Sequence, residues 1–217
     1  MAEVTRFPTH NGFIQTKISD EIYDILLSAS EQSRNEKLDI TDRLIGNLEE
    51  TYDLTQMPFY QFNKVETYLR NLCGEFEQNF ELMKSYKIFS APNGSIDLNL
   101  KMLWVNYQKK YEFNPVHHHS GLYSFVIWMK IPYSCEEDEF KERRGNPTQK
   151  YAGTFCFLDT DPVSGIEDFK IKLNSSYEKT ILIFPSKLRH VVYPFYTSDD
   201  YRISISGNFY LEPVTRF

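Results

Sequence analysis

Four of the five histidines of this chain are His117, His118, His119 and His190, and Arg202 follows twelve residues after the last of them. Imidazole nitrogens bind zinc, copper, iron and nickel, and three protein ligands on one side of a metal leave its other positions open for small molecules or dioxygen. Side chains on an extended strand alternate between faces, so His117 and His119 would point one way and His118 the other. The predicted metal ligands are therefore His117, His119 and His190. Asn114-Pro115 signals a turn before the first pair, and a strongly apolar strand, Ser124 to Ile131, comes after it. His190 stands just beyond Phe184-Pro185-Ser186, where a second strand ends. A solvated strand end is the competing explanation of a triple histidine; a further histidine on a similar strand, with an arginine beyond, weighs against it.

The elements that must position these residues fall into two parts. The first ninety residues favour helix. Ser19 is a plausible N-cap, and Ile22, Tyr23, Leu26 and Leu27 follow it at helical spacing. A second helix is predicted from about Gln61 to Tyr86, with Val65, Leu69, Leu72, Phe76, Phe80 and Met83 on the face packed against a sheet. Between them, Arg43-Leu44-Ile45-Gly46-Asn47-Leu48 reads as a connector without an assignable mechanistic role. After the turn signal Ala91-Pro92-Asn93-Gly94-Ser95 the pattern changes to strands. These are predicted at Leu98 to Tyr111, Val116 to Ser120, Tyr123 to Ile131, Gly153 to Leu158, Phe169 to Leu173, Thr180 to Phe184, His190 to Tyr193 and Tyr201 to Leu211. The expected fold is mainly β with flanking helices, a double-sheet jelly roll. A single domain is expected over 1–217, with 1–95 as helical support and 96–217 as the jelly-roll core. The charged stretch Tyr133 to Tyr151 reads as a lid or substrate-binding loop, or as a surface insertion.

At 217 residues, 41% hydrophobic and 16% aromatic, the chain is globular and large enough for a proper core. The formal charge of −6 is spread over mixed-sign segments, so no basic stripe suggests generic nucleic-acid binding. Met1 to Arg6 lacks a basic and then apolar leader, and nowhere do about 18 apolar residues run together. Cys73, Cys135 and Cys156 are odd in number and far apart, as ordinary reduced thiols are. These features predict a soluble protein of the cytoplasm with no membrane partner.

The ordered pattern His117-x-His119, His190 and Arg202-x-Ser204 resembles the iron(II)/2-oxoglutarate-dependent dioxygenases, which are built on a double-stranded β-helix. It is most similar to the prolyl-4-hydroxylase-like oxygenases, including small members encoded by tailed phages of marine bacteria; for a phage protein the compartment would be the host cytoplasm. The resemblance runs from Leu98 to Glu212 through Asn114 to Gly121, Ser124 to Trp128, Ile183 to Ser186 and Arg202 to Asn208. It implies iron(II) as cofactor, 2-oxoglutarate as cosubstrate, and hydroxylation of a peptide, protein or small-molecule substrate, coupled to conversion of the keto acid to succinate. Arg202 would grip the far carboxylate with a bidentate guanidinium fork, helped by the Ser204 hydroxyl on the same strand face. Tyr107 stands ten residues before His117, where related prolyl hydroxylases place a cosubstrate-touching tyrosine; it could equally be one half-buried aromatic among fifteen tyrosines. Trp128 and Asn208 match site-lining positions but would also serve to fill the core or a turn.

One departure stands out. Most of the family carries Asp or Glu where this chain has His119, and no carboxylate follows until Glu136. A neutral three-histidine face leaves the site one negative charge short, which alters metal affinity and redox potential. Two other functions stay open at this point: a cupin-like three-histidine metalloenzyme without a keto-acid cosubstrate, against which Arg202-x-Ser204 argues, and a non-catalytic jelly-roll interaction module. The sequence names neither the substrate nor the oligomeric state.

Overall fold

The computed structural model describes residues 2–7, 12–85, 96–142, 150–161, 163 and 165–213. Among them run eleven strands and two long helices: β1 (Glu3–Arg6), β2 (Gly12–Lys17), α1 (Asp20–Asn35), β3 (Thr51–Asp53), α2 (Phe59–Phe80), β4 (Ile96–Gln108), β5 (Asn114–His117), β6 (Tyr123–Lys130), β7 (Phe155–Asp161), β8 (Gly165–Ile171), β9 (Thr180–Pro185), β10 (Arg189–Val192) and β11 (Arg202–Pro213). They form a seven-stranded sheet ordered β1-β2-β9-β6-β11-β4-β3 and a four-stranded sheet ordered β5-β10-β7-β8. Every strand pairing is antiparallel. This is the expected double-sheet jelly roll, a double-stranded β-helix braced by helices. No helix among the described residues is long and apolar enough to cross a membrane.

The large sheet is buried on both faces, which is why its central strands read as continuous apolar runs. Along β9 all six residues, Thr180 to Pro185, are buried. Ile181 and Ile183 pack toward the helices, whereas Leu182 and Phe184 pack toward the small sheet with Phe155, Phe157 and Ile171. On the helix side, α1 contributes Ile22, Leu26 and Ala29, and α2 contributes Val65, Leu69, Leu72 and Phe76. Ser19 caps α1 as predicted, its hydroxyl accepting from the Ile22 N–H at 3.4 Å. The second helix ends earlier than its apolar spacing predicts, at Phe80. There Glu81 turns left-handed at φ 48° and gives its N–H to the Glu77 carbonyl. Tyr86 and the turn Ala91 to Ser95 lie outside the described residues.

The helical support region also contains strands. β1 and β2 extend the large sheet past β9, and β3 closes its other edge on β4. Their pairing partners lie far along the chain, so local pattern alone does not reveal them. The predicted strand at Val116 to Ser120 is shifted: β5 ends at His117, and His119 lies beyond it. Within the described parts of Tyr133 to Tyr151, Tyr133, Cys135 and Glu139 are buried in the body of the protein, whereas Glu136, Glu137 and Lys141 are exposed. Residues 143–149 of that stretch lie outside the description.

β11 lies between β4 and β6, and its register sets the floor of the site. Arg202 pairs with Gln108, Ser204 with Asn106 and Trp128, Ser206 with Trp104 and Val126, and Asn208 with Ser124. The alternate residues, Ile203 and Ile205, face the helices. Gly207 sits where the strands crowd: a Cβ there would meet the Met102 carbonyl at 2.5 Å and the Phe125 ring at 2.6 Å. Gly207→Ala should therefore destabilise the fold by about 1–3 kcal/mol, the usual cost of forcing a methyl group into a filled core. Urea unfolding at constant slope checks this; an unchanged midpoint would refute the crowding.

Candidate metal centre

His117 and His190 are cross-strand partners on β5 and β10, so their imidazoles stand side by side with ring centroids 4.2 Å apart. His119 joins them from the loop after β5. Its N–H donates to the Ser186 carbonyl at 2.8 Å, and that bond, rather than strand alternation, carries the ring to 5.0 Å from both neighbours. The predicted trio is brought together, though by a different local cause. One ligand nitrogen from each of the three lies within 4.8 Å of the others. His118 is exposed and outside the cluster, its Nδ1 3.2 Å from the His119 carbonyl.

The tautomers suit metal binding. Nδ1 of His117 lies 2.6 Å from the Pro115 carbonyl, and Nδ1 of His190 lies 3.0 Å from the Leu188 carbonyl. A ring that donates Nδ1–H to a carbonyl holds its Nε2 lone pair free and fixed in direction. Nε2 of His190 is 3.2 Å from Nε2 of His119. Two nitrogens in adjacent positions on a metal, each at about 2.1 Å, lie about 3 Å apart, so the spacing fits a shared ion. Phe155 stacks on His190 at 5.4 Å and 19°, and Phe184 closes its edge at 5.2 Å. Burial among these rings pushes the His190 pKa well below the usual imidazole range, lowers that of His117, and takes His119 to about 3, with neighbouring His117 adding to the last. All three are neutral at physiological pH, the form that ligates. The donor set and its spacing fit a transition-metal ion such as iron(II).

One cavity runs from His117, His119 and His190 across Asn106, Gln108, Trp128, Ser204 and Ser206 to Arg202. Arg202 is only 1% exposed, and among the described residues no carboxylate pairs with it. Its five N–H groups go to neutral acceptors. Nε and Nη2 converge on Gln108 Oε1 at 3.2 and 2.5 Å, Nη1 reaches the Tyr133 hydroxyl at 2.5 Å and the Gly153 carbonyl at 3.3 Å, and Nη2 also reaches the Tyr193 carbonyl at 3.3 Å. A buried charge without a counter-ion costs several kcal/mol, so this site is shaped to take an anion. Gln108 Oε1, straddling two guanidinium nitrogens, stands where a carboxylate oxygen would.

The structure sorts the remaining expected residues. Ser204 and Trp128 line this cavity, Trp128 with its ring edge-on to Phe155 at 5.7 Å. Asn208 lines an outer cavity. Its Oδ1 is 2.7 Å from Ser124 Oγ, which is 2.9 Å from Ser186 Oγ, so it braces the residue that holds the His119 loop. Tyr107 does not belong to the site. It lies on the opposite face of β4, packed against Tyr201 and beneath the Arg34 guanidinium at 4.4 Å. The reason is strand parity: Asn106 and Gln108 face the cavity, so the residue between them cannot. Two residues escaped sequence analysis. Gln108 shares its face with Trp104 and Asn106, an inward polar alternation visible in the sequence. Tyr133 carried no local signal, because its partner Arg202 is 69 positions away.

Residues 102–208, just under half of the chain, match the profile of the family described as "Putative 2OG-Fe(II) oxygenase". That segment carries all three histidines, Arg202 and Ser204. The chain is also similar in fold to solved structures at low identity. A prolyl-4-hydroxylase from Pseudomonas putida has 12% identity and a TM-score of 0.56, with 92% of each chain covered. A prolyl hydroxylase from Trichoplax adhaerens, solved with a hypoxia inducible factor oxygen degradation domain peptide fragment, has 9% identity and a TM-score of 0.57 over 92% of this chain and 84% of that one. AviO1 from Streptomyces viridochromogenes has 10% identity and a TM-score of 0.55 over 95% and 92%. No curated protein matches the chain. The matched segment, which holds the three-histidine cluster, is thus similar to the 2OG-Fe(II) oxygenases, oxidoreductases that use iron(II) and 2-oxoglutarate.

Two predictions follow from the ligand geometry. His119→Ala should weaken manganese(II) binding, measured by calorimetry without oxygen, by at least tenfold, whereas His118→Ala should change it little. Equal effects of the two would mean that the cluster is not the metal site. With His119 and His190 held far below the usual imidazole range and His117 lowered, manganese(II) affinity should fall between pH 7.5 and 5.5 by no more than the roughly tenfold that one imidazole of ordinary pKa would cost. Three imidazoles of ordinary pKa, near 6.5, would each be about ten parts protonated to one at pH 5.5 and would cost up to about a thousandfold. A loss of that order would show that the rings are not held neutral.

Proposed function

We propose that the protein hydroxylates an unactivated C–H bond of a peptidyl or small-molecule substrate, in the manner suggested by its prolyl-hydroxylase-like relatives. One atom of dioxygen enters the substrate as hydroxyl and the other enters succinate, while carbon dioxide leaves the keto acid. Iron(II), held by Nε2 of His117, His119 and His190, supplies the oxygen chemistry. The chain itself binds and orients. Arg202 takes the far carboxylate of 2-oxoglutarate as a bidentate pair, Gln108 yields the place its oxygen holds, and Ser204 adds a hydroxyl. Phe155, Phe184 and Trp128 keep the cavity dry, which strengthens that ion pair. The observation that carries this reading is the buried guanidinium, which has no carboxylate partner among the described residues and lies across a single cavity from the three histidines. Three free, buried cysteines support action in a reducing compartment such as the cytoplasm.

The test is succinate formation by the iron(II)-loaded protein given 2-oxoglutarate and oxygen, together with calorimetric binding of 2-oxoglutarate to the manganese(II) form. Arg202→Ala removes the cation that the carboxylate needs. Losing one side of a buried pair costs about 3–5 kcal/mol, so affinity should fall by roughly two to four orders of magnitude. Arg202→Lys, which keeps the charge without the planar fork, should lose less. Unchanged 2-oxoglutarate affinity in variants that still bind metal would reject the assignment. Iron binding without any binding of 2-oxoglutarate to the unmodified protein would instead favour a keto-acid-independent dioxygenase.

A further inference from the structure

Asn106 lies on β4 between Trp104 and Gln108 on the same strand face, and the reaction described above gives it no part. The inner cavity, with Arg202 and Gln108 at one end, runs past the histidines and opens into an outer cavity, the mouth, of about 170 Å³, which has the 41–48 segment as one wall. Gln108 and Arg202 line the inner cavity alone, whereas Asn106 and Trp104 line both. Asn106 therefore stands at the junction, one inward-facing pair nearer the metal centre than the guanidinium. Arg202 is opposite Gln108, Ser204 opposite Asn106, and Ser206 opposite Trp104. The Trp104 ring in turn lies 5.7 Å from that of His119.

The Asn106 side chain is held on one side and free on the other. On the edge strand β3, Thr51 is its register partner, and Thr51 Oγ1 donates to Asn106 Oδ1 at 3.1 Å. Thr51 is 1% exposed, and its hydroxyl has one proton to place; among the described residues, the Asn106 oxygen is the acceptor that takes it. That bond orients the amide: with Oδ1 turned to Thr51, Nδ2 turns away. Nδ2 has no partner among the described residues and, unlike an atom sealed in the core, keeps accessible surface. The free surface of this otherwise buried residue is cavity wall, so an amide donor is presented to whatever occupies the cavity.

An extended keto acid spans the distance. Four C–C bonds of about 1.5 Å set its two carboxylate carbons about 5 Å apart. Two residues along an antiparallel strand advance about 7 Å, and hydrogen bonds of about 2.9 Å cover the difference. With its far carboxylate on Arg202, its other end comes level with Asn106. The geometry points to Asn106 as a second cosubstrate-binding residue, its Nδ2–H donating to the C1 carboxylate of 2-oxoglutarate while Arg202 takes the C5 carboxylate. A donor bonded to an ionised acceptor makes one of the stronger hydrogen bonds. Thr51 is then a positioning residue, because its hydroxyl on Oδ1 keeps a donor, and not an acceptor, toward the negative charge. This inference rests on the oxygenase reading and adds to it how the metal-side end of the cosubstrate is recognised.

The test measures binding to the full chain loaded with manganese(II), by calorimetry in the absence of oxygen. The probes are 2-oxoglutarate and 2-oxopentanoate, which keeps the C1 carboxylate and the 2-oxo group but has a methyl group in place of the C5 carboxylate. Asn106→Ala should weaken both keto acids about tenfold to a hundredfold, as loss of a hydrogen bond to a charged group does, with manganese(II) affinity retained. The preference for 2-oxoglutarate over 2-oxopentanoate should survive in Asn106→Ala and vanish in Arg202→Ala, because the two residues hold opposite ends. Thr51→Val, of the same shape without the hydroxyl, should weaken both acids by about threefold to tenfold, the worth of an ordinary hydrogen bond, and Thr51→Ser should recover most of that loss. If Asn106→Ala does not fold, the Thr51 pair decides. Unchanged binding in Asn106→Ala or in Thr51→Val, a loss confined to 2-oxoglutarate, or a loss that merely follows manganese(II) affinity would each overturn the inference. Failure of 2-oxoglutarate to bind the unmodified protein would remove the oxygenase reading, and this inference with it.

Discussion

Arg202 holds a full positive charge inside the barrel with neutral oxygens as its partners, and much of the surrounding structure follows from keeping it there. Gln108 must sit opposite on β4, Tyr133 must stack on Phe195 at 4.7 Å to present its hydroxyl, and the Gly153 and Tyr193 carbonyls must turn inward. A neutral side chain of the same length would make a more stable core. The charge is intelligible as one half of an ion pair whose other half is a ligand. Its neighbours along β11 follow suit: Ser204, Ser206 and Asn208 face inward where a purely structural strand would present Val or Leu.

The three-histidine cluster extends the same electrostatics to the other end of the cavity. With a dication on neutral imidazoles and a guanidinium beyond, the cavity is more positive by one charge than it would be with a carboxylate at position 119. An anionic keto acid is drawn more strongly to such a site, and a positively charged group near the metal is repelled more strongly. Among the described residues no acidic side chain lines the outer cavity beside Asn114 and His118, which continues that bias to the mouth. The aromatic packing of Phe155, Phe157 and Phe184 around His190 keeps the dielectric low enough for these charges to matter.

The histidines, Arg202 and Ser204 were legible in the sequence because their residue types carry chemistry and sit beside clear strand signals. The core strands were legible because burial on both faces leaves only apolar residues, as in β6 and β9. Tyr107 was misplaced because spacing along a strand does not say which face is which. β4 has a bulge, with Asn208 opposite Met102 and Phe209 opposite Leu100. Lys101 is the extra residue, and it flips the alternation for everything after it. Gln108 faces the site and Tyr107 the helices for that reason alone.

By itself the sequence determined the types of the two long helices and of the core strands, the polar face of β11 and the identity of the three clustered histidines, because these depend on local pattern and on the chemistry of single side chains. It could not determine that β1, β2 and β3 join the large sheet, that His119 is set by the Ser186 carbonyl beyond a strand end, that Tyr133 touches Arg202, or that the 41–48 segment walls the mouth. Each of these is a contact between residues far apart along the chain, and its energy exists only once the register of the sheets has brought the partners together.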